Sequence, residues 1–221
     1  TFSRFKFSSS SRHDRSPPIH EALDCSPGGE MGRPRRDCGA GDLAGVVNSL
    51  HADERADLVV MSTQGRTGLT FLGSNASELA KHCRAPLLIV PSDAPQHALR
   101  NVLFADDHRS VEPLAMRVLV DLLRRSGARL TIAHVQRAKH EEPDPRIVQA
   151  YDEVFRDLPH TYADGEGEDV ALVLNSLVER DHMDLAVVLH RHLGLLDSLL
   201  HRSLAKRLAM LSHVPLLVLQ H

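Results

Sequence analysis

The sequence predicts an α/β fold made of two doubly wound parallel-sheet domains in tandem, the first of them incomplete. Two observations carry this. From Asp42 onward, short continuous apolar runs alternate with amphipathic helical stripes, the pattern of β-α-β units around a parallel sheet. The chain also matches itself at an offset of 127 residues, too long for a solenoid repeat and the right size for a duplicated domain.

The elements follow in order. Leu43, Val46, Val47 and Leu50 recur at helical spacing. Asp57 to Met61 reads as a buried strand, and a glycine-containing loop follows it. Ala76, Leu79, Ala80 and Cys83 mark the next helix, and Pro86 opens a second buried strand, Leu87 to Val90. After a polar linker, the pattern restarts with Val102 to Phe104, which ends in Asp106-Asp107. Val111, Leu114, Ala115, Val118 and Leu122 predict a helix that Gly127 stops, and Leu130 to Val135 is the next strand. A helix is expected within residues 144 to 158 and a short strand from Pro159 to Ala163. A helix from Asp169 to Arg180, a strand from Leu185 to Leu189, a helix after Ser203 and a strand from Leu216 to Leu219 complete the series.

The repeat is direct. Residues Asp42 to Leu50 align with Asp169 to Leu177, and Asp57 aligns with Asp184, all at offset 127. Past the loop the offset is 129, so that Ser74 meets Ser203 and Pro86 meets Pro215. The length change falls in a loop, where insertions are tolerated. The first copy has no counterpart of Leu99 to Gly127, the opening strand and helix. In a 3-2-1-4-5 sheet that strand is central, and an empty place there would forfeit a row of ladder hydrogen bonds. The chain is therefore read as a fragment of a longer protein. The resulting division is 1–41 irregular or disordered, 42–92 the C-terminal half of a first domain, and 98–221 a complete second domain.

Composition narrows the function. The 221 residues carry a net charge of −3, which gives no reason to expect nucleic acid or an anionic membrane as partner. No apolar run approaches the roughly 20 residues that span a bilayer. Cys25, Cys38 and Cys83 make neither a disulfide framework nor a zinc site, and a reducing, cytoplasmic setting is the simplest inference. The Ser- and Arg-rich start resembles a transit peptide, but Asp14, Glu21 and Asp24 argue against one. His190, His192 and His201 flank one loop, with Asp197 nearby. They do not make the three or four convergent ligands of a metal centre, and no metal residues are assigned. No nucleophile elbow and no Walker A lysine are present.

Residues Ala56 to Pro91 resemble the C-terminal half of universal stress protein domains, in which a strand leads into Gly-x-x-Gly, nine residues, Gly-Ser/Thr and a helix. The resemblance extends to both repeats, implying flavodoxin-like, Rossmann-like domains of the adenine nucleotide alpha hydrolase type. It also implies that the last strands, Leu87 to Val90 and Leu216 to Leu219, pair within the chain. In this sequence Ser62 takes the place of the first glycine, Gly65 keeps the second, and seven residues rather than nine precede Gly73-Ser74. The resemblance places an adenine nucleotide, ATP with its Mg, on Ser62, Gln64, Gly65, Gly73, Ser74 and Asn75. Asp107 of the second copy falls where an acidic residue contacts the adenosine part. Backbone N–H groups at a helix start are suited to phosphates, and Gly73 admits close approach. The same residues also read as a tight turn with an N-cap, and Asp107 as a helix cap. In the second copy the family glycines fall at Leu189, His192 and Arg202, so the ligand site is largely lost there. The implied function is a non-catalytic stress-response regulator that binds an adenine nucleotide. The alternatives are a slow ATPase or self-phosphorylating protein, and a ligand-free interaction module acting through a protein partner or homodimer.

Overall fold

The computed structural model of the chain describes residues 3–5, 43–52, 57–62, 79, 82–91, 93–95, 97–136, 144–190 and 213–220. In chain order these residues form β1 (Ser3–Phe5), α1 (Leu43–Ala52), β2 (Leu58–Ser62), β3 (Leu87–Val90), β4 (Asn101–Asp106), α2 (Arg117–Ser126), β5 (Arg129–Gln136), α3 (Pro145–Val154), β6 (His160–Glu166), α4 (Val170–Arg180), β7 (Leu185–His190) and β8 (Leu216–Gln220).

The eight strands make one sheet, ordered β1-β2-β3-β8-β7-β4-β5-β6. From β6 to β8 every neighbour is parallel, and the order is that of a 3-2-1-4-5 doubly wound domain. β2 and β3, the first-repeat counterparts of β7 and β8, are likewise parallel. The two closing strands join the halves: β3 pairs antiparallel with β8, Leu88 opposite Leu217. On the far side of β2, where β4 lies beside β7 in the second repeat, stands β1. It runs antiparallel, Ser3 opposite Val60 and Phe5 opposite Leu58. Thus a segment expected to be irregular contributes a three-residue strand. The physical reason is the exposed ladder edge of β2, whose N–H and C=O groups need partners.

Local chemistry sets the helix ends. Asp144 caps α3 by accepting from the Arg146 N–H at 2.9 Å, with Pro145 in the first turn. Asp169 caps α4 through the Leu172 N–H at 3.3 Å. Gly127, at φ 67°, ends α2 and donates its N–H to Leu123 O at 2.9 Å, a left-handed cap that glycine adopts without steric cost.

Two helix stripes differ from the sequence reading. α2 begins at Arg117, well after Val111, and Leu114 is 89% exposed. Pro113 disfavours a helical Glu112, so the stretch before Arg117 turns instead. The buried stripe is Met116, Leu119 and Leu123 with Val118 and Leu122. In α1, Ala44 and Val47 are buried while Val46 is 54% exposed, because the helix is rotated to rest its small residue on the sheet.

The two faces of the sheet carry two cores, and each runs through both repeats. α1 and α4 cover one face, packing Ala44, Val47, Leu174 and Leu177 around Ile89 and Val188. α2 and α3 cover the other, with Leu119, Tyr151 and Phe155 around Phe104, Leu88 and Leu217.

Candidate functional site

In an open parallel sheet, ligands settle beyond the carboxyl ends of the strands, where the winding direction reverses. In the second repeat this place is the end of β4, between β5 and β7. Asp106 is the last residue of β4 and is 8% exposed. The parallel register puts His134 of β5 directly beside it.

A compact polar group forms around this carboxylate. Asp106 Oδ1 accepts a hydrogen bond from the Tyr151 hydroxyl at 2.7 Å and from the His108 main-chain N–H at 3.1 Å. Asp106 Oδ2 is buried and accepts no hydrogen bond among the described residues. His108 Nε2 lies 3.1 Å from it, without hydrogen-bond alignment. His108 adopts φ 51°, a left-handed conformation uncommon for a residue with a side chain. Its ring stacks on that of His134, with centroids 3.6 Å apart and planes within 4°. Nδ1 of His134 lies 3.2 Å from the Asp106 main-chain carbonyl. A carbonyl can only accept, so in this hydrogen bond Nδ1 carries a proton. Burial is the main influence on His108 and pushes its pKa below the ordinary value; Asp106 pulls upward, and His134 pushes down again.

The sequence-predicted residues distribute as follows. Ser62 ends β2 and is exposed at the carboxyl edge of the sheet. Gln64, Gly65, Gly73, Ser74 and Asn75 lie outside the described residues. Asp107 follows β4 directly, and its Oδ1 accepts from the Arg109 N–H at 3.4 Å. It therefore shapes the turn after the strand, and is not the cap of α2, which starts ten residues later at Arg117. His190 ends β7 and is 3% exposed, while His192 and His201 lie outside the described residues.

Sequence reasoning missed His108, His134 and Tyr151. The signal for the histidines was available in part. Asp106-Asp107-His108 at the end of β4 and Ala133-His134-Val135 near the end of the parallel β5 come together once their register is known. Tyr151 carries no such signal, since an aromatic residue on a helix reads as core until its hydroxyl partner is seen.

The universal stress protein family model matches residues 32–91. Residues 32–91 belong to the universal stress protein family. No curated protein matches the chain. Among solved structures, the chain is similar to a universal stress protein from Archaeoglobus fulgidus, at 18% identity and a TM-score of 0.59, covering 80% of this chain and 65% of that one. It is also similar to a functionally unknown protein from Pseudomonas aeruginosa, at 13% identity and a TM-score of 0.56, covering 80% and 67%. The chain thus spans about two-thirds of the length of these structures, and the likeness establishes the shared universal stress protein fold. Among the described residues no helix is long and apolar enough to cross a membrane.

Proposed function

We propose that this chain is a stress-response regulator that binds an adenine nucleotide, ATP with its Mg, on the glycine loop of the first repeat. The observation that carries this reading is the end of β2: within the stretch matched to the family, β2 ends at Ser62, which is exposed at the carboxyl edge of the sheet. That is the edge at which doubly wound sheets take ligands. Loop residues Gln64, Gly65, Gly73, Ser74 and Asn75 would supply main-chain N–H groups and short polar side chains to phosphates. The role is binding, with no catalytic group assigned. It is tested by calorimetry of the whole chain with ATP, using AMP and GTP as controls. Saturable ATP binding lost on Gly73→Trp supports the reading. No heat at millimolar ATP from a folded sample overturns it. Slow ATP turnover or self-phosphorylation that disappears in Ser74→Ala would replace the regulator by an enzyme.

For the second repeat, one observation favours an interaction module instead. Leu189 stands where the resemblance puts a glycine, and it is a buried aliphatic residue packed in the core behind β7. A Cβ and its branches there remove the close backbone approach that a phosphate needs. A Gly73→Trp chain that loses all ATP binding would fit a second repeat without its own nucleotide.

A further inference from the structure

We propose that Asp106, His108 and His134 form a binding site for a divalent transition-metal ion, of the zinc or cobalt class, at the carboxyl end of β4. The three residues each bring one donor atom, and these atoms lie within 4.8 Å of one another. Two imidazoles and a carboxylate suit zinc, cobalt, nickel or iron, and not magnesium or calcium, which prefer all-oxygen cages.

Four features separate this group from a chance cluster. The first is the orphaned acceptor. Asp106 is more than nine-tenths buried, yet its Oδ2 has no hydrogen bond and faces the His108 ring. A buried carboxylate oxygen without a donor is unfavourable by about 1–3 kcal/mol or more, and a cation at that point removes the penalty. The second is spacing. Two donors each about 2.0–2.1 Å from a tetrahedral zinc stand about 3.3 Å apart. Asp106 Oδ2 and His108 Nε2 are 3.1 Å apart. Bringing His134 into the same sphere requires the two imidazoles to tilt out of their parallel stack, so that their in-plane lone pairs converge on the ion.

The third is the outer shell. Metal-binding histidines usually donate their second ring nitrogen to a carbonyl or carboxylate, and ligating carboxylates are themselves held by hydrogen bonds. Here His134 Nδ1–H donates to the Asp106 carbonyl, and Tyr151 donates to Asp106 Oδ1, leaving Oδ2 for the ion. The fourth is backbone strain. His108 is held at φ 51° by the bond from its own N–H to Asp106 Oδ1. Such a conformation persists where the surroundings impose it, and here it lays the His108 ring over His134. Three protein ligands leave a fourth position open, the arrangement of sites that take a water or a small ligand.

The proposal does not depend on nucleotide binding, and its test contains no nucleotide. The whole chain, stripped with chelator, is titrated with Zn²⁺ by calorimetry and with Co²⁺ by visible absorption. One Zn²⁺ per chain is expected at this site, with Co²⁺ d–d bands of a low-coordinate nitrogen–oxygen sphere. His108→Ala, on a half-buried ring, should weaken binding at this site at least tenfold, and Asp106→Asn similarly, with folding checked by circular dichroism. Tyr151→Phe, which removes the outer hydrogen bond to Asp106 Oδ1, should weaken it roughly 10- to 100-fold. If a folded His108→Ala chain and a folded His134→Ala chain both bind Zn²⁺ as tightly and in the same number as the parent, the site is elsewhere and the proposal fails. It fails equally if the parent chain shows no Co²⁺ bands, which would leave the three residues as an ion pair and a ring stack.

Discussion

β2 and β7 hold equivalent places in the two repeats but have unlike neighbours. β7 lies between two parallel partners, β4 and β8, and is buried at all six positions. β2 has a parallel partner on one side only; on the other is the three-residue antiparallel β1. A second contrast runs along the helices. In the first repeat Asn48 bridges to the main chain at residues 82 and 84, donating to His82 O at 2.8 Å and accepting from Arg84 N–H at 2.7 Å. Its counterpart Asn175 instead donates to Glu179 at 2.9 Å, and its buried Oδ1 has no partner among the described residues. Among the described residues, the first repeat thus has a polar clamp at Asn48, whereas Asn175 of the second bonds within its own helix.

The largest effect that should separate the repeats is in the core. Phe104 on β4, with strands on both sides, should cost about 3–5 kcal/mol when changed to Ala, measured by urea unfolding. Leu58→Ala on β2 should cost about 2–3 kcal/mol, since the edge beside it can relax into the cavity. A larger loss at Leu58 would break the comparison. Next comes the aligned pair Asp57 and Asp184. Asp184 Oδ2 accepts from the main-chain N–H groups of Arg100 and Asn101 at 2.7 and 2.8 Å, fixing the start of β4. Asp184→Ala should cost about 2–3 kcal/mol. Asp57→Ala, beside a β1 that runs the opposite way, should stay under about 1 kcal/mol.

The Asn48 clamp ranks third. Asn48→Ala should cost about 1–2 kcal/mol, against less than about 0.5 kcal/mol for Asn175→Ala. The smallest effect belongs to the second repeat alone. Burial pushes the pKa of His160 down, but the Asp152 carboxylate 2.9 Å away and the Leu158 carbonyl outweigh it and hold it above the ordinary value. The native state therefore binds this proton more tightly than the unfolded chain. The contribution is complete below the unfolded pKa of about 6.5 and fades as pH rises through the folded value. His160→Gln should flatten that slope in melts from pH 6 to 8. An unchanged slope would show that the Asp152 contact, which is exposed on the carboxylate side, carries no linkage.

Much of this architecture was legible because it rests on apolar periodicity. The strand runs Leu87 to Val90 and Leu185 to Leu189 carry their burial in their composition, and both are strands with nearly those limits. β1 was not legible, because Phe5 and Phe7 around Lys6 give little periodicity and its formation depends on the edge that β2 presents. The start of α2 was misplaced, because apolar spacing alone cannot weigh the backbone restriction that Pro113 imposes on Glu112. At the candidate sites, Ser62 and Asp107 were legible as residues at the ends of strands, Ser62 closing β2 and Asp107 following β4. The Asp106–His108–His134 group was not, because it depends on a strand register and on the handedness of one residue's backbone.

The antiparallel seam has a consequence in time. Leu87 pairs with Val218, a partner 131 positions later in the chain. Closing a loop of that length costs about 4 kcal/mol in chain entropy, so the seam should be among the last contacts to form. During synthesis at roughly 5–20 residues per second, β3 leaves the ribosome roughly 6–26 seconds before β8 exists. For that interval the Leu87–Val90 strand carries an apolar edge whose partner, β8, has not yet been made. The nascent chain is therefore most vulnerable to misassembly after its first repeat is made, and chaperone dependence should follow the rate at which residues 91 to 220 are translated.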